Sequence, residues 1–192
     1  MAEIVQNKKQ PGVIFLKGKA YYNKGTIVEG GGEGKTSSLT VIEDVNAHSE
    51  ILYFENDPRF EVTNNGYPFS IQDKFQHDGH DMYSPYAIGH NGVSYTRAKN
   101  ISDKPIYMKF YYSVESEANC DWLSIIIRDT PEQNDDNYMI NVAGTVNDAE
   151  VPLIMLPPDY ILEMRYKKDS GASTGKDSGG FLFYELGRED EE

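Results

Sequence analysis

Apolar residues in this chain come in runs of strand length, and almost none recur at a helical interval. From Ser37 onward the runs are SLTVI, EILYF, FEV, PFSIQ, YAIG, VSYT, PIYMKFYYSV, WLSIIIR, YMINVAG, VPLIML, YILEMRYK and FLFYEL. Between them stand turn-forming clusters, among them Asn64-Asn65-Gly66, His90-Asn91-Gly92, Asp135-Asp136-Asn137 and Pro157-Pro158-Asp159. The spacing of roughly 8 to 15 residues between turns is that of an antiparallel two-sheet domain. In PIYMKFYYSV the residues Ile106, Met108, Phe110 and Tyr112 share one face. The run Ile125-Ile126-Ile127 predicts a strand covered on both faces. The sequence is therefore expected to be all-β, with enough aromatic mass (14 Tyr, 8 Phe, 1 Trp) to fill a core.

Charge divides the chain. Residues 1–35 hold Lys8, Lys9, Lys17, Lys19, Lys24 and Lys35 against Glu3, Glu29 and Glu33, a net of +3, which leaves −16 for the remainder of a chain whose total is −13. That first segment contains short apolar stretches, Val13 to Leu16, Ala20 to Tyr22 and Ile27 to Val28, too few to fold alone. A glycine-rich stretch, Gly30-Gly31-Gly32-Glu33-Gly34, follows and is taken as a joint. The expected organisation is an anchor segment and joint over 1–35, a β-sandwich over 36–186 and an acidic tail over 187–192. With little core of its own, the anchor is expected to bury Val13, Ile14, Phe15, Leu16, Tyr21 and Tyr22 against other copies of the chain or a larger particle.

The negative charge argues against nucleic acid. No apolar run approaches the roughly 20 residues of a membrane span, and the first residues, MAEIVQNKKQ, lack the apolar centre of a signal peptide, so synthesis in a cytoplasm is expected. Cys120 is the single cysteine, which excludes an intrachain disulfide. The stretch GGGEGK lacks the spacing of a phosphate-binding loop.

Two polar knots adjoin core strands. One is SVESEANCDWLSIII, with Glu117, Asn119 and Asp121; the other is YKKDSGASTGKDSGG, with Asp169 and Asp177. Such oxygen-rich residues either cap the ends of strands or gather around calcium, which takes six to eight oxygens. A pair of catalytic carboxylates is a third reading, but acids are so abundant here that no spacing selects a pair; no catalytic activity is expected. Tyr83 and Tyr86, in DMYSPYAIGHNG, are candidates for stacking on sugar rings, and His77 and His80 are expected to be solvated loop residues.

Taken in order, FENDPRFEVTNNGYPFSI, YSPYAIGHNGVSYT, YYSVESEANCDWLSI and YKKDSGASTGKDSGGFLFYEL resemble a MAM-like jelly-roll module over roughly residues 54–186. Such modules occur in bacterial adhesins and in phage structural proteins. The resemblance implies a jelly-roll sandwich in which Glu117, Asp121, Asp169 and Asp177 brace strand ends and can sit near calcium. The segment 131–153 lacks the expected Gly-Trp element. Because adhesins are exported and this sequence shows no signal peptide, the resemblance implies a virion protein made in a host cytoplasm. The expectation is a bacteriophage head-fibre, capsid-decoration or tail-fibre protein, a homotrimer held to other virion proteins through residues 1–29 and presenting its sandwich to a host surface glycan. A carbohydrate-binding module without catalysis is the alternative.

Overall fold

The computed structural model describes residues 49–131, 138–171 and 175–186, apart from the Pro152 side chain, and before them the backbone of four short strands. The chain divides into two compact units, Met1–His48 and Ser49–Glu192. In the first, β1 (Val5–Gln6), β2 (Val13–Leu16), β3 (Lys19–Asn23) and β4 (Leu39–Val41) form one sheet in chain order. The anchor residues Val13 to Leu16 lie on β2, and Tyr21 and Tyr22 on β3, in a register that sets Val13 opposite Tyr22 and Ile14 opposite Tyr21. The stretch SLTVI, expected with the sandwich, instead supplies β4 and pairs with β3. The expected strand Ile27 to Val28, the joint and the tail lie outside the described residues.

The second unit is an antiparallel two-sheet sandwich. Its strands are β5 (Ser49–Ile51), β6 (Phe60–Asn64), β7 (Phe69–His77), β8 (His80–Pro85), β9 (Val93–Asn100), β10 (Ile106–Glu115), β11 (Trp122–Arg128), β12 (Tyr138–Val142), β13 (Thr145–Leu156), β14 (Ile161–Lys167) and β15 (Ser178–Leu186). One sheet runs β13-β10-β15-β8-β7, with β5 also on β15; the other runs β12-β11-β14-β9-β6. Doubling the chain back between β11 and β12 sets β10 on β13, β9 on β14 and β8 on β15, and successive pairs fall in alternate sheets. That alternation is the jelly-roll connection, as the sequence led us to expect.

Between the sheets lie Phe54, Phe69, Tyr83, Phe110, Phe181 and Phe183, with Met108, Leu123, Ile125, Leu162 and Met164. Each such side chain contributes roughly 1.5–3 kcal/mol on burial. The turn signals act through backbone shape: Asn91, Asp159 and Gly66 take φ of 57°, 65° and 87°, the left-handed region that Asn, Asp and Gly tolerate best. Two corrections belong here. Tyr83 is buried in the core, where its hydroxyl donates to Glu55 Oε2 at 2.5 Å and accepts from the Phe54 N–H at 3.0 Å, so it cannot stack on a ligand. His77 is also buried: the β7–β8 turn brings it onto Tyr111, ring centroids 3.5 Å apart, with Nδ1 2.6 Å from Asp148 Oδ1.

Gly179 and Gly180, which look like loop in the sequence, open β15. A Cβ at Gly179 would lie 2.6 Å from Leu123 Cδ2 of the facing sheet and 3.0 Å from the Ser113 carbonyl. Glycine stands here because the two sheets approach too closely for a side chain. Gly179→Ala is expected to cost about 1–3 kcal/mol by overpacking, measurable as a lower midpoint in urea.

Candidate functional site

On the five-stranded sheet, alternation places Trp122, Ser124, Ile126 and Arg128 of β11 outward, because Leu123 and Ile125 point to the core. Cross-strand register extends this face. Asn141 and Arg165 flank Ser124, Lys167 lies beside Trp122, and Tyr138 and Glu163 flank Ile126. On β9 the outward positions opposite β14 are Tyr95, Arg97 and Lys99.

Trp122, Ser124, Tyr138, Asn141, Arg165 and Lys167 line a shallow depression of about 210 Å³. Trp122 and Tyr138 are both half-buried. The Ser124 hydroxyl donates to Asn141 Oδ1 at 2.7 Å, fixing the amide that borders the depression. Hydroxyl, amide, cation and two flat apolar rings are a set that suits a polyhydroxylated ligand with apolar ring faces.

Beneath Arg165 lies a buried carboxylate. Glu163 is 0% exposed and is held by Arg97 Nε at 2.7 Å, Arg128 Nε at 3.0 Å and Arg165 at 2.6 Å. Arg128 is itself only 2% exposed, and the Arg97 guanidinium stands 4.6 Å from the centre of the Tyr95 ring. The chain leaving β11 turns back across this face, so that the Pro131 carbonyl accepts from Arg97 at 3.4 Å. Three guanidinium groups thus converge on one buried carboxylate, and Lys99 on the same face pairs with Asp159 at 3.0 Å.

The sequence-derived acidic set is only partly assembled. Asp121, 1% exposed, accepts the Asp169 N–H on Oδ1 at 3.0 Å, which ties the start of β11 to the loop after β14. Asp169 Oδ1 accepts the Gly171 N–H at 2.6 Å, and a Cβ at Gly171 would lie 2.9 Å from that oxygen and 3.2 Å from Glu117 Oε2, so these carboxylates converge. Asp121 Oδ2 and Glu117 Oε2 are buried with no hydrogen-bond partner. Asp177 is separate, bonded to Lys168 and to the Tyr166 hydroxyl, and Asn119 is exposed with φ of 65°. Among the described residues no group of three or more His, Cys, Asp or Glu side chains is set to hold a metal ion. Loss of hydration, a hydrogen bond to Asp169 and the charges of Glu117, Asp169 and Asp121 push the Cys120 thiol up.

Burial raises the phenols of Tyr83 and Tyr166 above the ordinary tyrosine value, with further upward pressure from Glu55 and Asp121 respectively. The folded state thus favours the neutral phenols. Their contribution is complete below about pH 10 and is lost as pH climbs through the raised folded values. Thermal stability is therefore expected to fall above about pH 10, and Tyr83→Phe to remove part of that fall; a titration of melting temperature against pH checks it.

Of the ligand-stacking candidates in the sequence, Tyr86 remains, 58% exposed, whereas the ring pair on the five-stranded sheet was not anticipated. The sequence signals the face, though not the pair. Alternation in VSYTRAKN and YILEMRYK puts Tyr95, Arg97, Glu163 and Arg165 on the face opposite Met164 and Tyr166.

What these features define is an antiparallel β-sandwich with an aromatic and cationic depression on one outer face. No family model matches the sequence, and no curated protein matches it. Among solved structures, the secreted serine protease VesC from Vibrio cholerae is similar at a TM-score of 0.46 and 18% identity, over 70% of this chain and 25% of that one. A family 29 carbohydrate-binding module from Piromyces equi gives 0.39 and 9%, over 75% and 89%. The enzymatically active domain of tailspike protein 4 from bacteriophage CBA120 gives 0.34 and 12%, over 69% and 20%. The chain thus spans about a quarter of the VesC chain, and no role passes from these structures to this one.

Proposed function

We propose that the sandwich is a non-catalytic adhesive module that binds a surface glycan across the β12-β11-β14 face. The observation that supports this is the depression lined by Trp122 and Tyr138 together with Ser124, Asn141, Arg165 and Lys167. Glu163, the carboxylate in contact with Arg165, is enclosed by three guanidinium groups and is not placed to act as an acid or base on a sugar. The setting we propose is a bacteriophage head fibre, capsid decoration or tail fibre, docked through residues 1–29 as a homotrimer. The separate N-terminal unit, with its own small sheet and the net positive charge of residues 1–35, supports that division of labour. Two measurements test the proposal: retention of the full-length protein on immobilised bacterial surface polysaccharides, and a search for it in purified particles. Retention on at least one polysaccharide is expected; retention on none overturns the binding role, and absence from particles overturns the setting.

A cation held by Glu117 and Asp121 is a second proposal, supported by their unpartnered buried oxygens beside Asp169. Carboxylate oxygens are the donors calcium takes, and a bound cation would neutralise their like charges. Millimolar calcium is then expected to raise the melting temperature, and Asp121→Ala to erase the rise. An identical melting curve in calcium and in chelator leaves only the bracing role, in which the same substitution costs about 1–3 kcal/mol by freeing the Asp169 N–H.

A further inference from the structure

We propose that Lys168 and Asp177 condense to a side-chain amide, a covalent bond that staples the two sheets of the sandwich to each other. Lys168 follows β14 and Asp177 precedes β15, and these strands belong to different sheets. Lys168 Nζ lies against Asp177 Oδ2, with the two side chains only 8% and 13% exposed. An amine and a carboxyl group held in contact are the two reactants of an amide, and the fold has already met the entropic cost of bringing them together. Burial also favours the product. Two charges in a dry site lose hydration that their attraction repays only in part, whereas an amide carries no charge and its hydrolysis needs water that the site largely excludes.

Two neighbours equip the pair for the step. The Tyr166 hydroxyl donates to Asp177 Oδ1 at 3.2 Å. Burial and the charge of Asp121 keep that phenol protonated well above the ordinary tyrosine value, so it remains a donor aimed at the oxygen on which negative charge develops. Asp121, 1% exposed, accepts the N–H of Asp169, the residue after Lys168, on Oδ1 at 3.0 Å. Its Oδ2 is buried with no hydrogen-bond partner among the described residues, and this carboxylate carries the proton. In the step, Lys168 passes one ammonium proton to Asp177 Oδ2, and the freed amine attacks Cγ. The Nζ–Cγ bond forms with charge on Oδ1, beside the Tyr166 hydroxyl. A second proton moves from Nζ by way of Asp121 to Oδ2, the Cγ–Oδ2 bond breaks, and water leaves. One ammonium and one carboxylate thus become one neutral amide and one water, with no change in oxidation state.

The test is the mass of the purified full chain under denaturing conditions. A mass below that of the sequence by one water is expected, and tandem fragmentation of a peptide digest is expected to place the loss on a branch joining Lys168 to Asp177. Lys168→Arg keeps a cation for Asp177 but lacks the amine, and is expected at its full sequence mass. Asp121→Asn keeps the oxygen that accepts the Asp169 N–H, so it is expected to melt cooperatively while its crosslinked fraction appears at least about tenfold more slowly. Wild-type protein at its full sequence mass overturns the inference. A loss of water that hydroxylamine reverses marks a succinimide at an aspartate and overturns it too, as does a loss that persists in Lys168→Arg. An Asp121→Asn protein that crosslinks as fast as wild type overturns the role of Asp121 in the step. The amide, once formed, gives the same mass in calcium and in chelator, which keeps this result apart from that of the cation at Glu117 and Asp121.

Discussion

Glu163→Ala is expected to lower the stability of the sandwich by about 3–5 kcal/mol, the loss seen when one partner of a buried ion pair is removed. The reason lies in what remains. Arg97, Arg128 and Arg165, 20%, 2% and 16% exposed, would lose the carboxylate they share and repel one another more strongly. In a domain of this size the change corresponds to a fall in melting temperature of roughly 6–20 °C. Glu163→Gln keeps the shape and two hydrogen-bonding groups, so it should fall between wild type and Ala. Replacing Glu163 and Arg128 together by Met removes carboxylate and buried cation at once, and is expected to recover most of the loss. A loss below about 1 kcal/mol for Glu163→Ala, the size of an exposed ion pair, would show that the carboxylate is solvated and the cluster is not built as described.

The second large effect is on binding. Trp122→Ala is expected to weaken glycan affinity about 30-fold, equivalent to ~2 kcal/mol, the size of a hot-spot aromatic. Trp122→Tyr should retain part of it, since a smaller ring still offers an apolar face. Because Trp122 is only half-buried and points away from the core, folding should survive, and an unchanged melting temperature verifies that the loss is local. Tyr86→Ala, 58% exposed and not among the lining residues, is expected to leave affinity unchanged.

Much of the sandwich was legible because its information is local. The alternation of Ile106, Met108 and Phe110 and the double burial of Ile125 and Ile126 appear as the sequence pattern implies. The turn signals at Asn91 and Asp159 act through backbone shape alone. What the sequence hid depends on partners distant along the chain. Tyr83 looks like an exposed loop aromatic until Phe54 and Glu55, 29 and 28 residues away, supply partners for its hydroxyl. His77 looks solvated until Tyr111 and Asp148 cover it. Gly179 looks like loop until Leu123 of the facing sheet is in place. The acidic knots were visible as residues, yet their sorting was not: Asp121 and Asp169 meet, whereas Asp177 joins Lys168. The depression was missed for the same reason, since its polar and aromatic residues come from β11, β12 and β14 and are ordinary outward residues on each strand alone.

Trp122 is the only tryptophan in the chain, so intrinsic tryptophan fluorescence reports on the depression and on nothing else. Titration of the full-length protein with a glycan it retains, followed by tryptophan emission, tests the central claim directly. A saturable change in emission, with the same midpoint as binding measured by calorimetry, is the predicted result. Binding by calorimetry with no change in tryptophan emission would place the ligand elsewhere on the protein and contradict the account.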